Sequence, residues 1–167
     1  MRYSFCPKCG QKYTNEPTQS IHPKCQSCGF VFYQNPKPTA SVFLENEKGE
    51  VLLVRRAVEP FKGEWDTPGG FCEENEHPEK TARREMKEEL GVEIEIAGMV
   101  GIFMDTYGDG GDATMNIFYR GKITGGEIRV ADDVDAYRWF SKNILPRVAF
   151  ENGRNALDAL CQGQSKD

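Results

Sequence analysis

The stretch Gly70-Phe71-Cys72-Glu73-Glu74-Asn75-Glu76-His77-Pro78-Glu79-Lys80-Thr81-Ala82-Arg83-Arg84-Glu85-Met86-Lys87-Glu88-Glu89-Leu90-Gly91-Val92 decides how this chain is read. Pro78 suits the first turn of a helix and Gly91 suits its end. Between them stand good helix formers with no internal proline or glycine. Glu85, Glu88 and Glu89 are spaced i, i+3 and i+4, so a helix puts all three on one face. Ala82, Met86 and Leu90 form a separate apolar stripe that can pack inward. Three carboxylates within one turn repel each other unless a cation neutralises them. A hard divalent ion does so through oxygen ligands, and Mg²⁺ usually reaches carboxylates and substrate phosphates together. Arg84 is placed to pair with one glutamate and hold it in position. An acidic run by itself is more often a solvated helix face. The full spacing from Gly70 through Glu76 to Gly91 argues against that reading here.

The N-terminus carries a second pattern. Cys6-Pro7-Lys8-Cys9-Gly10 and Cys25-Gln26-Ser27-Cys28-Gly29 are paired knuckles separated by 15 residues. The spacing suits four thiolates around one tetrahedral Zn²⁺, with each glycine letting the chain turn back around the metal. Two disulfides or a redox CxxC are the alternatives. No signal peptide or transmembrane run is visible, so the expected compartment is the cytoplasm, where thiols favour metal over disulfide. Cys72 and Cys161 lack a partner knuckle and read as free thiols, and His22 is off-pattern as a ligand.

The chain has 167 residues, 38% of them apolar, which is room for one ordinary globular domain and a small appendage. The net charge of −5 is unevenly spread. Residues 1–40 hold Arg2, Lys8, Lys12, Lys24 and Lys37 against Glu16 alone, which leaves the remainder strongly acidic. An acidic body is a poor non-specific nucleic-acid binder and would repel a phosphate substrate unless metal intervenes.

The expected organisation is an N-terminal ribbon over residues 1–35 and a catalytic domain over 36–167. Asn35-Pro36-Lys37-Pro38 reads as a stiff linker. Strands are expected over Thr39–Leu44 and Val51–Arg56, joined by a turn at Asn46-Glu47-Lys48-Gly49. A loop over residues 63–70 leads into the acidic helix. Residues 92–104 read as strands broken near Gly98 and Gly101. Further strands are expected over 114–123, 128–130 and 136–140, and a closing helix over 150–160.

The chain resembles the Nudix hydrolases, specifically the branch with an N-terminal zinc ribbon. Gly70, Glu76, Arg84, Glu85, Glu88, Glu89 and Gly91 occupy the defining positions of the Nudix box, with Met86 and Val92 in its apolar slots. The likeness extends to the two knuckles, Tyr33-Gln34-Asn35-Pro36-Lys37, Val51-Leu52-Leu53-Val54-Arg55-Arg56, Trp65 with Pro68-Gly69-Gly70, and Arg138-Trp139-Phe140-Ser141. It implies an α/β fold: a Nudix α/β/α sandwich with a mixed sheet, preceded by a small zinc ribbon. It also implies hydrolysis of a nucleoside diphosphate linked to another moiety, dependent on Mg²⁺ or Mn²⁺. The branch includes NADH, ADP-ribose and FAD pyrophosphatases.

Carried over position by position, Glu85, Glu88 and Glu89 match the family's metal ligands and Glu76 the glutamate that supports them. Arg84 matches the arginine that orients a glutamate, and Gly70 the glycine whose backbone lies beside the metals. Family members often add a carboxylate from outside the box. Asp133 is the best candidate here, with a turn or strand-start aspartate as its alternative role; Asp105, Asp109 and Asp112 lie in an expected loop. The NADH-cleaving subgroup carries a Ser-Gln-Pro-Trp-Pro-Phe motif downstream of the box. Residues 102–112 depart from it, which leans the expectation toward ADP-ribose. Asn75 replaces a common glycine and tolerates positive φ. Thr67 stands where relatives often carry Leu, a change expected to be without effect.

Phe61, Trp65, Phe103 and Tyr107 could stack on a base, although burial in the core is the expected role for each and for Trp139. The expected partner is a small nucleotide, with no membrane; a homodimer is compatible with the sequence. Two other classes stay open. One is RNA-end (cap) processing or nucleic-acid binding through the ribbon, which lacks a basic cluster interleaved with aromatics. The other is a non-catalytic nucleotide sensor, which need not keep three metal ligands.

Overall fold

A computed structural model describes residues 4–13 and 22–163. The chain divides into Met1–Asn35 and Pro36–Asp167. In the first unit the two knuckles are built alike. The Gly10 N–H donates to the Cys6 carbonyl and the Gly29 N–H to that of Cys25, with both glycines at φ 73°. Short bridges Phe5–Lys12 and Lys24–Val31 flank the turns. Only a residue without Cβ takes this left-handed conformation at no steric cost.

The second unit holds strands β1 (Lys37–Leu44), β2 (Val51–Arg56), β3 (Trp65–Asp66) and β4 (Gly69–Phe71) before helix α1 (Pro78–Leu90). Strands β5 (Glu93–Thr106), β6 (Ala113–Gly125) and β7 (Val134–Phe140) follow, and helix α2 (Glu151–Gln162) closes the fold. Among the described residues these strands form two sheets. One has the order β4-β1-β6-β5 and is mixed, because β1 and β6 run parallel; the other, β3-β2-β7, is antiparallel.

The apolar runs of β1, β2 and β6 bury both faces. Ala40, Val42, Leu44, Leu52, Val54, Ile117 and Tyr119 join Ala82, Met86 and Leu90 of α1 in one cluster. The alternate residues Phe43, Val51, Leu53 and Phe118 join Ala156, Leu157 and Leu160 of α2 in a second cluster. The period of two along each strand therefore sends successive side chains to opposite helices. This is the α/β/α layering that the resemblance implies, with the strands divided between two sheets. Each fully buried Leu or Met contributes about 1.5–3 kcal/mol. Trp139 is partly buried against the first cluster rather than central to it.

Helix α1 starts and stops where its sequence says. The His77 Nδ1 accepts the Glu79 N–H at 3.2 Å, Pro78 occupies the first turn, and Gly91 at φ 70° ends the helix with its N–H on the Lys87 carbonyl.

Five expectations need correction. Gly98 and Gly101 do not break the strand: β5 runs unbroken for 14 residues, with register shifts at Ile96/Gly98 and Met99/Gly101. A bulge absorbs the glycine without ending the pairing. Residues 128–130 are not a strand. The Arg129 N–H donates instead to the Leu90 carbonyl and the Ala131 N–H to that of Glu89, satisfying the open end of α1. The expected 63–70 loop contains β3 and the start of β4, and the expected linker gives Lys37 and Pro38 to β1. Asp105 belongs to β5, not to a loop; its Oδ2 accepts the Asn152 N–H at 3.0 Å and so caps α2, whose own N-cap Phe150 has no side-chain bond.

Candidate active site

One face of α1 looks onto a cavity of about 490 Å³ in the second unit. Arg84, Glu85 and Glu89 line it from the helix, Gly70 from β4, and Asp133 from the segment before β7. Asp133 reaches this wall because the backbone of 129–131 is tied to the end of α1. Glu76 and Glu88 are not among the lining residues.

Arg84 binds more than the single glutamate expected. Its Nε and Nη2 donate to the two oxygens of Glu76 at 3.0 and 2.9 Å. Its Nη1 donates to Glu85 Oε1 at 2.7 Å and Glu88 Oε2 at 2.9 Å, and its Nη2 also reaches the Phe71 carbonyl at 3.1 Å. The spacing of eight residues between Glu76 and Arg84 brings a carboxylate from the preceding turn onto the flat guanidinium fork. Glu76 also accepts the Thr81 hydroxyl at 2.7 Å and the Glu73 N–H at 3.1 Å. The Arg84 hydrogen bond holds its acidity at about 2, and burial opposes the shift less strongly. Glu76 is thus the group that locks Arg84.

Glu89 is the buried member of the trio, 7% exposed. Its Oε2 accepts the Gly69 N–H at 3.0 Å. Burial, and then the charge of Glu85, push its pKa well above the ordinary carboxylate range. Burial raises Glu85 as well, against the pull of Arg84. Glu88 faces outward, with 44% of its side chain exposed. A Cβ on Gly70 would fall on the Glu85 carboxylate, so glycine is what lets the backbone lie beside that group.

Of the far wall, the sequence reading names Tyr107 as an aromatic that could stack on a base and gives no role to the rest. Arg56 at the end of β2 donates to Asp66 Oδ2 at 3.1 Å, the Pro60 carbonyl at 2.6 Å and the Tyr107 hydroxyl at 3.3 Å. Its guanidinium lies 5.1 Å from the Phe150 ring centre and 6.0 Å from that of Tyr107. Those two rings stack at 5.6 Å, and Phe71 meets Tyr107 edge-on at 5.2 Å. Burial lifts Asp66 to about 6 despite Arg56 beside it. Of the aromatics expected in the core, Trp65 and Phe103 pack against the second cluster, whereas Tyr107 lines the cavity. The signals available were two cations closing an apolar strand and Asn152 interrupting the apolar face that Ala156 and Leu160 continue.

In the first unit the Sγ atoms of Cys6, Cys9, Cys25 and Cys28 all lie within 4.8 Å of one another. Cys6–Cys28 and Cys9–Cys25 are each 3.7 Å apart. A tetrahedron with metal–sulfur bonds of about 2.3 Å has edges of about 3.8 Å, whereas a disulfide needs about 2.05 Å. Burial pushes the Cys6 thiol up, but the N–H groups of Cys9 and Lys8 outweigh it and bring it down to about 6. The Gln11 N–H lowers Cys9, yet sharing a proton with Cys28 and its neighbours drives it up to about 12. Four sulfurs so grouped could hold one tetrahedral cation.

A family profile described as NUDIX domain matches residues 35–160. An ADP-ribose pyrophosphatase of Methanocaldococcus jannaschii is 31% identical over 131 residues, covering 78% of this chain and 77% of that protein. A NAD-capped RNA hydrolase NudC of Pseudomonas entomophila is 28% identical and covers 86% of this chain, which spans only about half of that relative (50%). The crystal structure of a NUDIX hydrolase from Nitrosomonas europaea superposes with a TM-score of 0.78 at 25% identity, over 98% of this chain and 94% of the other.

Proposed function

Because this chain belongs to the NUDIX domain family and is a Nudix pyrophosphohydrolase, we propose that it cleaves the diphosphate of a nucleoside diphosphate linked to a second moiety, with ADP-ribose the favoured substrate. The observation that carries this reading is Glu89. A carboxylate 7% exposed, on the wall of a cavity of about 490 Å³ with the Gly69 N–H as its one hydrogen bond among the described residues, needs a cation to ionise there. Glu85, Glu88 and Glu89 would hold Mg²⁺ or Mn²⁺, with the Gly70 backbone beside them. A divalent ion so held supplies charge neutralisation of the diphosphate and a coordinated water of lowered pKa.

The chain's own groups then have defined roles. Glu76 fixes Arg84, and Arg84 sets the rotamers of Glu85 and Glu88. Asp133, on the cavity wall, is the proposed acceptor of a proton from the attacking water. Water oxygen bonds to one phosphorus, the bridging P–O bond breaks, and two phosphomonoesters leave. With ADP-ribose these are AMP and ribose 5-phosphate. The archaeal relative of comparable length supports this substrate, as does the absence of the Ser-Gln-Pro-Trp-Pro-Phe motif.

Residues 1–35 are proposed as a zinc ribbon and 36–167 as the hydrolase domain. One Zn²⁺ on Cys6, Cys9, Cys25 and Cys28 is structural in this reading, since four thiolates leave no open position. A cytoplasmic setting suits the reduced thiols. Among the described residues no helix is long and apolar enough to cross a membrane. A second reading, processing of nucleotide-capped RNA ends, draws on the relatives named NAD-capped RNA hydrolase, which match most of this chain. A hydrolysis screen with ADP-ribose, NADH, NAD⁺, FAD, sugar nucleotides and a NAD-capped oligonucleotide, each with Mg²⁺ and with Mn²⁺, tests both. ADP-ribose turning over fastest is expected. No turnover of any compound with either ion sinks the proposal, and capped RNA as the fastest substrate selects the second reading.

A further inference from the structure

The two knuckles of the first unit follow one plan down to the residues beyond the turn. The Cys6 N–H donates to the Gln11 carbonyl at 2.8 Å, and the Cys25 N–H to that of Phe30 at 2.7 Å. Two residues further on, the Tyr13 N–H donates to the Ser4 carbonyl and the Phe32 N–H to that of Pro23, both at 3.0 Å. Tyr13 and Phe32 therefore hold equivalent places, and the two side chains differ by one hydroxyl. Phe32 shows that the plan itself does not call for it.

The Tyr13 hydroxyl is sealed from solvent and makes no hydrogen bond of standard geometry among the described residues. A buried hydroxyl left in that state weakens the fold, so its presence calls for a partner. The hairpin says which. The Phe5–Lys12 bridge sets Ser4 opposite Tyr13 and Cys6 opposite Gln11, all four on one face. Tyr13 is then the diagonal neighbour of Cys6, a separation that a long aromatic side chain spans. Burial keeps the phenol protonated, and the Cys6 sulfur acts next, followed by the charges of Cys25 and Cys28. Lys8, Lys12 and Lys24 are exposed, so their charges stand in solvent.

We propose that Tyr13 is a positioning residue of the zinc centre, its hydroxyl donating to the Cys6 sulfur. The proposal rests on the reading of residues 1–35 as a zinc ribbon. Four thiolates around one Zn²⁺ leave negative charge in excess, and a donor on one sulfur offsets part of it. The same bond makes that sulfur a poorer base and a poorer nucleophile, so it leaves the metal less readily. Cys6 is buried and Cys9 exposed, so the bond secures the inner sulfur of its knuckle.

The test compares wild type with Tyr13→Phe, both full length, loaded with Zn²⁺ or with Co²⁺. The substitution places at one knuckle the side chain that the other already carries, so the variant is expected to fold. Zinc affinity, measured by competition with a chelator, is expected to fall about tenfold or more. The sulfur-to-cobalt charge-transfer band is expected to move to longer wavelength, a change that altered packing alone would not produce. If Tyr13→Phe takes up no metal, adding Phe32→Tyr moves the hydroxyl to the other knuckle and must restore uptake. Affinity within about twofold of wild type, an unmoved band, or no restoration by the second substitution would overturn the proposal alone. Wild type that binds neither ion would remove the ribbon reading and the proposal together.

Discussion

Thr67 shows how a single side chain can be at odds with its surroundings. It is buried beside the cavity, and its hydroxyl has no partner among the described residues. An unpaired buried hydroxyl costs about 1–3 kcal/mol. Thr67→Val keeps the shape and is expected to raise stability by about 1 kcal/mol in urea denaturation; a clear loss of stability would show that the hydroxyl is paired. Glu76 is the opposite case, with its carboxylate saturated by Arg84, Thr81 and Glu73. Glu76→Gln is expected to cost about 2 kcal/mol at neutral pH. The folded pKa of about 2 lies below the ordinary 4.5, so the stabilisation is complete above 4.5 and fades as pH falls through 2. Acid denaturation of both proteins checks the sign: the gap between them should close toward pH 2, and a constant gap would contradict the assignment.

Among the elements, α1 was the most legible, because Pro78, the run of helix formers and Gly91 all act within the helix itself. Gly91→Ala at φ 70° should therefore cost about 1 kcal/mol in thermal melting, through backbone strain alone, since the nearest atom to a new Cβ is 3.5 Å away. No loss would mean the helix end relaxes freely. Residues 128–130 depart from the expected strand for the converse reason: the backbone of Arg129 and Ala131 bonds to the far end of α1, and no local pattern announces that. The cavity glutamates Glu85 and Glu89 were legible because one helix carries both. Arg56, Asp66, Phe150 and Asn152 were not, because β2, β3 and α2 meet at the cavity only through packing. The β5–β6 turn borders the cavity. Tyr107 at its base lines the cavity and contacts Arg56, and the Tyr107 N–H holds the Asp112 carbonyl at 2.9 Å. Replacing Asp109-Gly110-Gly111-Asp112 with a short turn is expected to shift relative kcat/KM among ADP-ribose, NADH and FAD through Tyr107. A uniform change, or none, would make the turn a mere connector.

For the molecule as a whole, two metal chemistries are proposed on one chain, thiolate in the first unit and carboxylate in the second. Elemental analysis of freshly purified protein is expected to find one Zn²⁺ per chain, retained after dialysis against excess Mg²⁺; zinc-free protein with paired cysteines would remove the ribbon from the account. The central claim, that the α1 carboxylates hold the ion that cleaves a diphosphate, is tested most directly by Glu89→Gln. Glutamine keeps an acceptor for the Gly69 N–H and removes a buried charge, so the folded state should be at least as stable as wild type. The measurement is kcat for ADP-ribose at saturating Mg²⁺, wild type against Glu89→Gln, with thermal melting of both. The account predicts a fall of about 100-fold or more at an unchanged or higher melting temperature; turnover within a few-fold of wild type would contradict it.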